Sequence, residues 1–275
     1  MRASLAAGLA LGGLALAGLS ACGADEGPDA GVDLTHVHGI AVDPVDPGTV
    51  LIATHEGLVA WDGDETARVG DISSDLMGFA VGGDRLYASG HPGEDEEGPG
   101  NLGLISSGDD GASWAEVSLG GTVDFHALDA WDGGVVGFDG ASGSVLVSED
   151  EGSSWTTVAT DVAVADLAAD DGRIVATTGN GPQLSTDGGA TFTPLPDAPL
   201  LVLVDLTPDG TLVGVGVDGV LHTSEDLSTW TEGAAVDGEL RALAAGPDGH
   251  VWVATSQGLA RSSDDGATLE TVTAW

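Results

Sequence analysis

The chain contains no lysine and six arginines against 45 acidic residues, so its formal net charge at pH 7 is −39. No cationic run is available to neutralise a string of phosphates, which excludes a general nucleic-acid binder. A polybasic membrane patch is excluded for the same reason. One cysteine in 275 residues excludes an intrachain disulfide. Aromatic residues make up 4% of the chain, little material for a broad aromatic docking face. No segment has the period of a long amphipathic helix. What is present is a 42% apolar fraction in short regular runs, together with 45 glycines. That is too apolar and too patterned for disorder. At ~100–200 residues per domain, the length allows one large domain or two small ones. The acidity bears on solubility and salt tolerance, not on fold.

Arg2 precedes an apolar Ala/Leu/Gly run over residues 3–19, and Leu19-Ser20-Ala21-Cys22 follows. The pattern is that of a secretory signal. With the single cysteine at the cleavage point it resembles the lipobox of bacterial lipoproteins. That resemblance implies a signal peptide over 1–21, a lipid on Cys22, and a chain tethered to the membrane outside the cytoplasm. An uncleaved membrane helix fits less well, because the run is barely long enough to span and rich in glycine. Residues 22–33 read as the lipidated cysteine and an acidic tether. The folded part is expected over 34–275, as a monomer.

Within that part a short motif repeats. Ser107, Asp109, Gly111 and Trp114 set the pattern Ser-x-Asp-x-Gly-x-x-aromatic. Ser148, Asp150, Gly152 and Trp155 repeat it, as do Ser185, Asp187, Gly189 and Phe192. A fourth copy keeps Ser224 and Asp226 but loses the glycine; a fifth keeps Ser262, Asp264 and Gly266 but ends in Leu269. The serine-to-serine steps are 41, 37, 39 and 38 residues. Asp and Ser can hydrogen-bond a turn backbone, and Gly supplies positive φ. The motif resembles the Asp-box, or BNR, repeat of sialidase-like β-propellers, often labelled glycosyl hydrolases. The resemblance implies that each copy sits on the turn between the third and fourth strands of a blade and is structural.

The rest of each repeat is short apolar runs split by turns. His38–Val42 and Val50–Thr54 in the first unit match Leu240–Ala244 and Val251–Thr255 in the last. Six units follow, at 37–71, 76–120, 125–160, 164–198, 202–236 and 240–273. This predicts an all-β, six-bladed propeller of four-stranded blades, with seven blades as the alternative.

In such a fold the starts of first strands and the loops between second and third strands surround the channel mouth. Five of the seven histidines fall there, all in the first three units: His36, His38, His55, His91 and His126. Met77 occupies a matching position. Imidazole with thioether suits copper, and imidazole with carboxylate suits zinc. These six residues are therefore candidate metal ligands, against the plainer reading that they satisfy loop backbone. Asp75, Asp124 and Glu56 map to the same face, and two carboxylates across a cleft would serve a glycoside hydrolase. The acidic segment Glu94–Glu97 reads as a solvated loop, with a cation collector as the alternative.

The sialidase likeness implies a three-arginine clamp, a tyrosine nucleophile and an Arg-Ile-Pro segment. The only tyrosine, Tyr87, falls inside a strand run, no Arg-Ile-Pro segment exists, and Arg241 alone is placed near the mouth. True sialidase activity is therefore not expected. The sequence reading is a lipid-anchored, non-enzymatic binding propeller with copper or zinc at its mouth. A non-sialidase glycoside hydrolase is the first alternative, and a protein-assembly or peptide-binding propeller is the second. Its ligand would be a metal, a glycan or an extracytoplasmic protein.

Overall fold

The computed structural model describes residues 34–94, 96–159 and 163–275. The leader, Cys22 and the acidic tether lie outside the described residues. Twenty-four strands form six antiparallel sheets of four, each in sequence order. Blade one holds β1 (Val37–Val42), β2 (Val50–Thr54), β3 (Gly57–Trp61) and β4 (Thr66–Val69). Blade two holds β5 (Asp75–Gly82), β6 (Arg85–His91), β7 (Leu104–Ser107) and β8 (Ala115–Ser118). Blade three holds β9 (Phe125–Trp131), β10 (Gly134–Asp139), β11 (Ser144–Ser148) and β12 (Thr156–Ala159). Blade four holds β13 (Val164–Asp170), β14 (Arg173–Thr178), β15 (Gln183–Ser185) and β16 (Thr193–Pro194). Blade five holds β17 (Leu201–Leu206), β18 (Leu212–Gly216), β19 (Val220–Ser224) and β20 (Thr231–Ala235). Blade six holds β21 (Leu240–Ala245), β22 (Val251–Thr255), β23 (Gly258–Ser262) and β24 (Glu270–Ala274). The first strands touch in a ring, β1 meeting β5 on one side and β21 on the other. The fold is a six-bladed β-propeller, so six rather than seven is the blade number.

Second strands such as β2 and β22 are buried at every position, which is why they read as unbroken apolar runs. The outermost strands are largely exposed. Six apolar clusters fill the gaps between neighbouring blades. Among the described residues the ring closes without exchange of a strand. Instead, Trp61 of blade one meets Trp252 of blade six edge to face, with ring centres 5.7 Å apart. Such an aromatic contact adds to plain area burial.

Each Ser-x-Asp turn joins the third strand to the fourth. In the copy at Ser148, the buried hydroxyl donates to Asp150 Oδ1 at 2.8 Å and accepts from Gly152 N at 2.8 Å. Asp150 then accepts Ser154 N at 2.7 Å and Ser154 Oγ at 2.7 Å. The copies at Ser107, Ser185 and Ser262 repeat these bonds. Trp155 Nε1 donates to Gly152 O at 3.0 Å, tying the indole beneath its turn. In the fourth copy Leu227 takes the left-handed conformation with φ 57°. There the Ser224 hydroxyl is buried without a partner, so the turn survives on the Asp226 bonds to Ser228 N and Thr229 N.

Candidate metal centre

Every innermost strand carries a register shift just after its start. In β1 the pairing jumps from Val37 to Gly39, in β5 from Leu76 to Gly78, in β9 from Phe125 to Ala127, and in β21 from Leu240 to Ala242. In β17 it jumps from Leu201 to Leu203, and in β13 from Val164 to Leu167. A bulge leaves one residue unpaired and re-aims its side chain. The residues released are His38, Met77, His126, Val202 and Arg241, with Asp166 inside the shift of blade four. His38, Met77, His126, Asp166 and Arg241 all line the central channel, a cavity of about 290 Å³. The recurring bulge is thus the device that sets a side chain from five of the six blades around the mouth.

The structure divides the expected histidine cluster between two blade seams. At the first seam, Asp75 opens β5 and faces two imidazoles of blade one. His55 Nδ1 stands 2.8 Å from Asp75 Oδ2, and His38 Nε2 stands 3.5 Å from Asp75 Oδ1. The His38 and His55 rings are 4.4 Å apart, and His36 lies edge-on to His55 at 4.8 Å. One ligand atom from each of His38, His55 and Asp75 falls within 4.8 Å of the others. Among the described residues this is the group that meets metal-ligand spacing.

His38 Nε2 and Asp75 Oδ1 are both buried, and neither has a hydrogen-bond partner. Leaving buried polar atoms unpaired is costly, so the pair invites something to stand between them. Ligands ~2.0–2.2 Å from a tetrahedral ion stand ~3.3–3.6 Å apart, and the observed gap is 3.5 Å. The His38–Asp75 pair therefore has the spacing that zinc or copper asks for, while His55 Nδ1 stands at hydrogen-bond distance from Asp75 Oδ2. Burial holds the His38 pKa below its usual value; Asp75 opposes this, while His55, His36 and Arg241 add to it. The ring is thus held neutral, the form that offers a lone pair to a metal.

Local structure fixes these ligands. Thr54 Oγ1 donates to Gly57 O at 2.9 Å and accepts Glu56 N at 3.1 Å, which shapes the turn holding His55. Gly57, at φ 104°, leaves that turn flush against Ile72; a Cβ there would sit 2.1 Å from Ile72 O. Asp75 is held from the other side. The Glu96 carboxylate accepts Ser73 N at 3.1 Å, Ser73 Oγ at 2.9 Å, Gly93 N at 2.9 Å and the Ser74 hydroxyl. One residue of the acidic segment is thus not solvated but clamps the chain just before Asp75. Those donors outweigh partial burial and hold the Glu96 pKa down to about 2.

At the second seam Asp124 repeats the role of Asp75. Its Oδ2 lies 2.8 Å from His126 Nε2 and 3.3 Å from His91 Nε2, while its Oδ1 is buried without a partner. His91 Nδ1 also meets Gly100 O at 2.9 Å. Met77 holds in blade two the bulge position that His38 holds in blade one. Glu56 points elsewhere, paired with Arg68 at 2.6 Å on the exposed surface. Tyr87 is buried in β6.

Sequence reasoning missed three aspartates of the channel lining. Asp129, Asp166 and Asp205 line it, and each links two blades. Asp129 accepts Ala130 N and Ala169 N; Asp166 accepts Leu167 N and Val204 N; Asp205 accepts Leu206 N and Ala245 N. Burial is the main cause of a pKa raised to about 7 for Asp166 and about 6 for Asp205. Burial, then the Asp205 charge, push Asp129 well up too. The signal was there to read: an aspartate inside an otherwise apolar run, as in Leu203-Val204-Asp205-Leu206.

No protein-family model and no curated protein matches the chain. Solved structures do, at the level of fold. The GH74 enzyme of Niastella koreensis aligns with a TM-score of 0.64 at 19% identity, over 86% of this chain and 45% of that one. The WD40 β-propeller domain of Doa1 aligns at 0.56 with 14% identity, over 84% of this chain and 94% of that one. YCF48 bound to D1 peptide aligns at 0.52 with 20% identity, over 86% of this chain and 81% of that one. This chain spans less than half of the GH74 enzyme, and at such identities the likeness is one of β-propeller architecture alone.

Proposed function

We propose that the chain is a non-enzymatic, Asp-box-type binding propeller that holds a zinc or copper ion at His38, His55 and Asp75, displayed outside the cytoplasm on a lipid at Cys22. The observation that carries the metal reading is the buried, unpartnered pair His38 Nε2 and Asp75 Oδ1, 3.5 Å apart. Two imidazoles and a carboxylate form a set that zinc accepts. Met77, at the next bulge, would favour copper. Of the carboxylates that a hydrolase would need, Glu56 is paired with Arg68 on the exposed surface, and Asp75 and Asp124 each face two imidazoles. That supports binding over glycoside hydrolysis. The test is elemental analysis with Zn(II), Cu(II) and Cu(I) titrations of the chain and of a His38→Ala, His55→Ala double variant. One ion per chain, lost in the variant, is the expected result. Loose binding that the variant leaves unchanged would mean that ions merely collect on the acidic surface.

A further inference from the structure

Arg241 lines the channel together with His38, and the metal reading leaves it unexplained. Ring closure sets β21 against β1. The shared bulge gives Arg241 in blade six the position that His38 has in blade one. Both line the channel, and Arg241 is the only arginine among the described residues that do so. Its ion pair among the described residues is weak, Nη2 to Glu239 Oε2 at 3.3 Å, with Glu239 70% exposed. Its Nε is buried and has no hydrogen-bond partner.

A guanidinium beside a cation site is unfavourable by itself, because like charges repel. In a chain of net charge −39 the placement calls for a physical reason. The neighbouring aspartates Asp129, Asp166 and Asp205 are each held by two backbone N–H groups, and the ion pair that Arg241 makes among the described residues is with Glu239 instead. His38, His55 and Asp75 leave a tetrahedral ion one position short. An anion in that position would lie between two positive centres. Its charge would turn the repulsion into attraction, and the planar fork of Arg241 matches a carboxylate.

We infer that the mouth binds a carboxylate together with the metal, the carboxylate taking the open coordination position and Arg241 holding its other side. This rests on the metal reading and names the ligand class of that site. Binding is then linked: the carboxylate tightens the metal, and the metal tightens the carboxylate by the same factor. Arg241 weakens metal binding when no carboxylate is present.

The test is Co(II) titration of the full chain in detergent, followed by cobalt absorption, with and without acetate. A tripeptide with a free C-terminus and its C-terminal amide serve as further probes. In the unaltered chain, acetate or the free-acid tripeptide should tighten Co(II) about tenfold, within the usual range of such coupling; the amide should not. A preference for the tripeptide identifies a chain terminus as the carboxylate, and a preference for acetate identifies a small free acid. Arg241→Gln should bind Co(II) more tightly without a carboxylate and lose the linkage, and Arg241→Lys should keep part of it. Equal linkage in the unaltered chain and Arg241→Gln, or no linkage at all, overturns the carboxylate inference while leaving the metal site standing. Absence of a His38-dependent cobalt band overturns the metal reading and the inference together.

Discussion

His55 Nδ1 and Asp75 Oδ2 stand 2.8 Å apart across the boundary between blades one and two. The candidate ligand group is therefore complete in neither blade alone. It forms only when the apolar cluster containing Leu58, Leu76 and Phe79 brings the two sheets together. A metal held there would couple to blade association and should raise thermal stability by mass action.

Replacing Asp75 by Asn should reduce zinc affinity by more than the ~10–100-fold typical of losing an outer partner. His126→Ala should leave the stoichiometry unchanged, since its carboxylate partner is Asp124 at the second seam. Calorimetric titration of both variants checks this; equal losses would merge the two seams into one site.

Glu96→Ala should weaken metal binding about 10-fold without removing a ligand, because the chain before Asp75 loses its clamp. The Glu96 pKa is lowered to about 2 from an ordinary 4.5. Its contribution to stability is therefore full above about pH 4.5 and is lost as pH falls toward about 2. Acid titration followed by tryptophan fluorescence should show that loss in the parent chain and not in the variant.

Ser148→Ala should cost about 1–3 kcal/mol, because the buried Gly152 N–H is left without its acceptor. Asp150→Ala should also lower the melting temperature. Neither should change metal stoichiometry, since these turns join third to fourth strands, away from the bulges. A shift in metal affinity would contradict a purely structural role.

Asp166 gives a pH dependence of the opposite sign. Its pKa is raised to about 7 from an ordinary 3.8, chiefly by burial. The folded chain binds this proton more tightly than the unfolded chain does. Its stabilising contribution is complete below about pH 4 and is lost as pH rises through about 7. Asp205 adds the same trend up to about 6. Melting temperatures taken between those limits should fall less steeply with rising pH in Asp166→Asn than in the parent. Parallel slopes would refute this.

The blades were legible because the Ser-x-Asp turn has a side-chain signature. Ser148, Asp150 and Gly152 each perform a separate hydrogen-bonding or conformational task, so the motif survives as residue identity. The mouth was legible only in outline. The sequence places His38, His55, His91 and His126 on one face, but which imidazole meets which aspartate depends on how neighbouring sheets sit against each other. The bulge that aims His38 and Arg241 has no residue signature, since it is a shift of pairing. Arg241 was placed near the mouth without a role, because its neighbour His38 lies about two hundred residues away in sequence and adjacent only through ring closure.

That closure rests on side chains. Trp252→Ala should cost about 3–5 kcal/mol, as for other buried aromatics, and should loosen blade six against blade one first. Native-state hydrogen exchange across β1 and β21 would detect it. Because no strand among the described residues is shared across this seam, it is chemically the same kind of boundary as the other five. Leu34 and Trp275 both pack into its cluster, so the two ends of the folded unit are neighbours. A circularly permuted chain, joined there by a short linker and reopened between blades four and five, would preserve every sheet. It would also keep blades six, one, two and three, with both seams and Arg241, on one uninterrupted stretch of polypeptide.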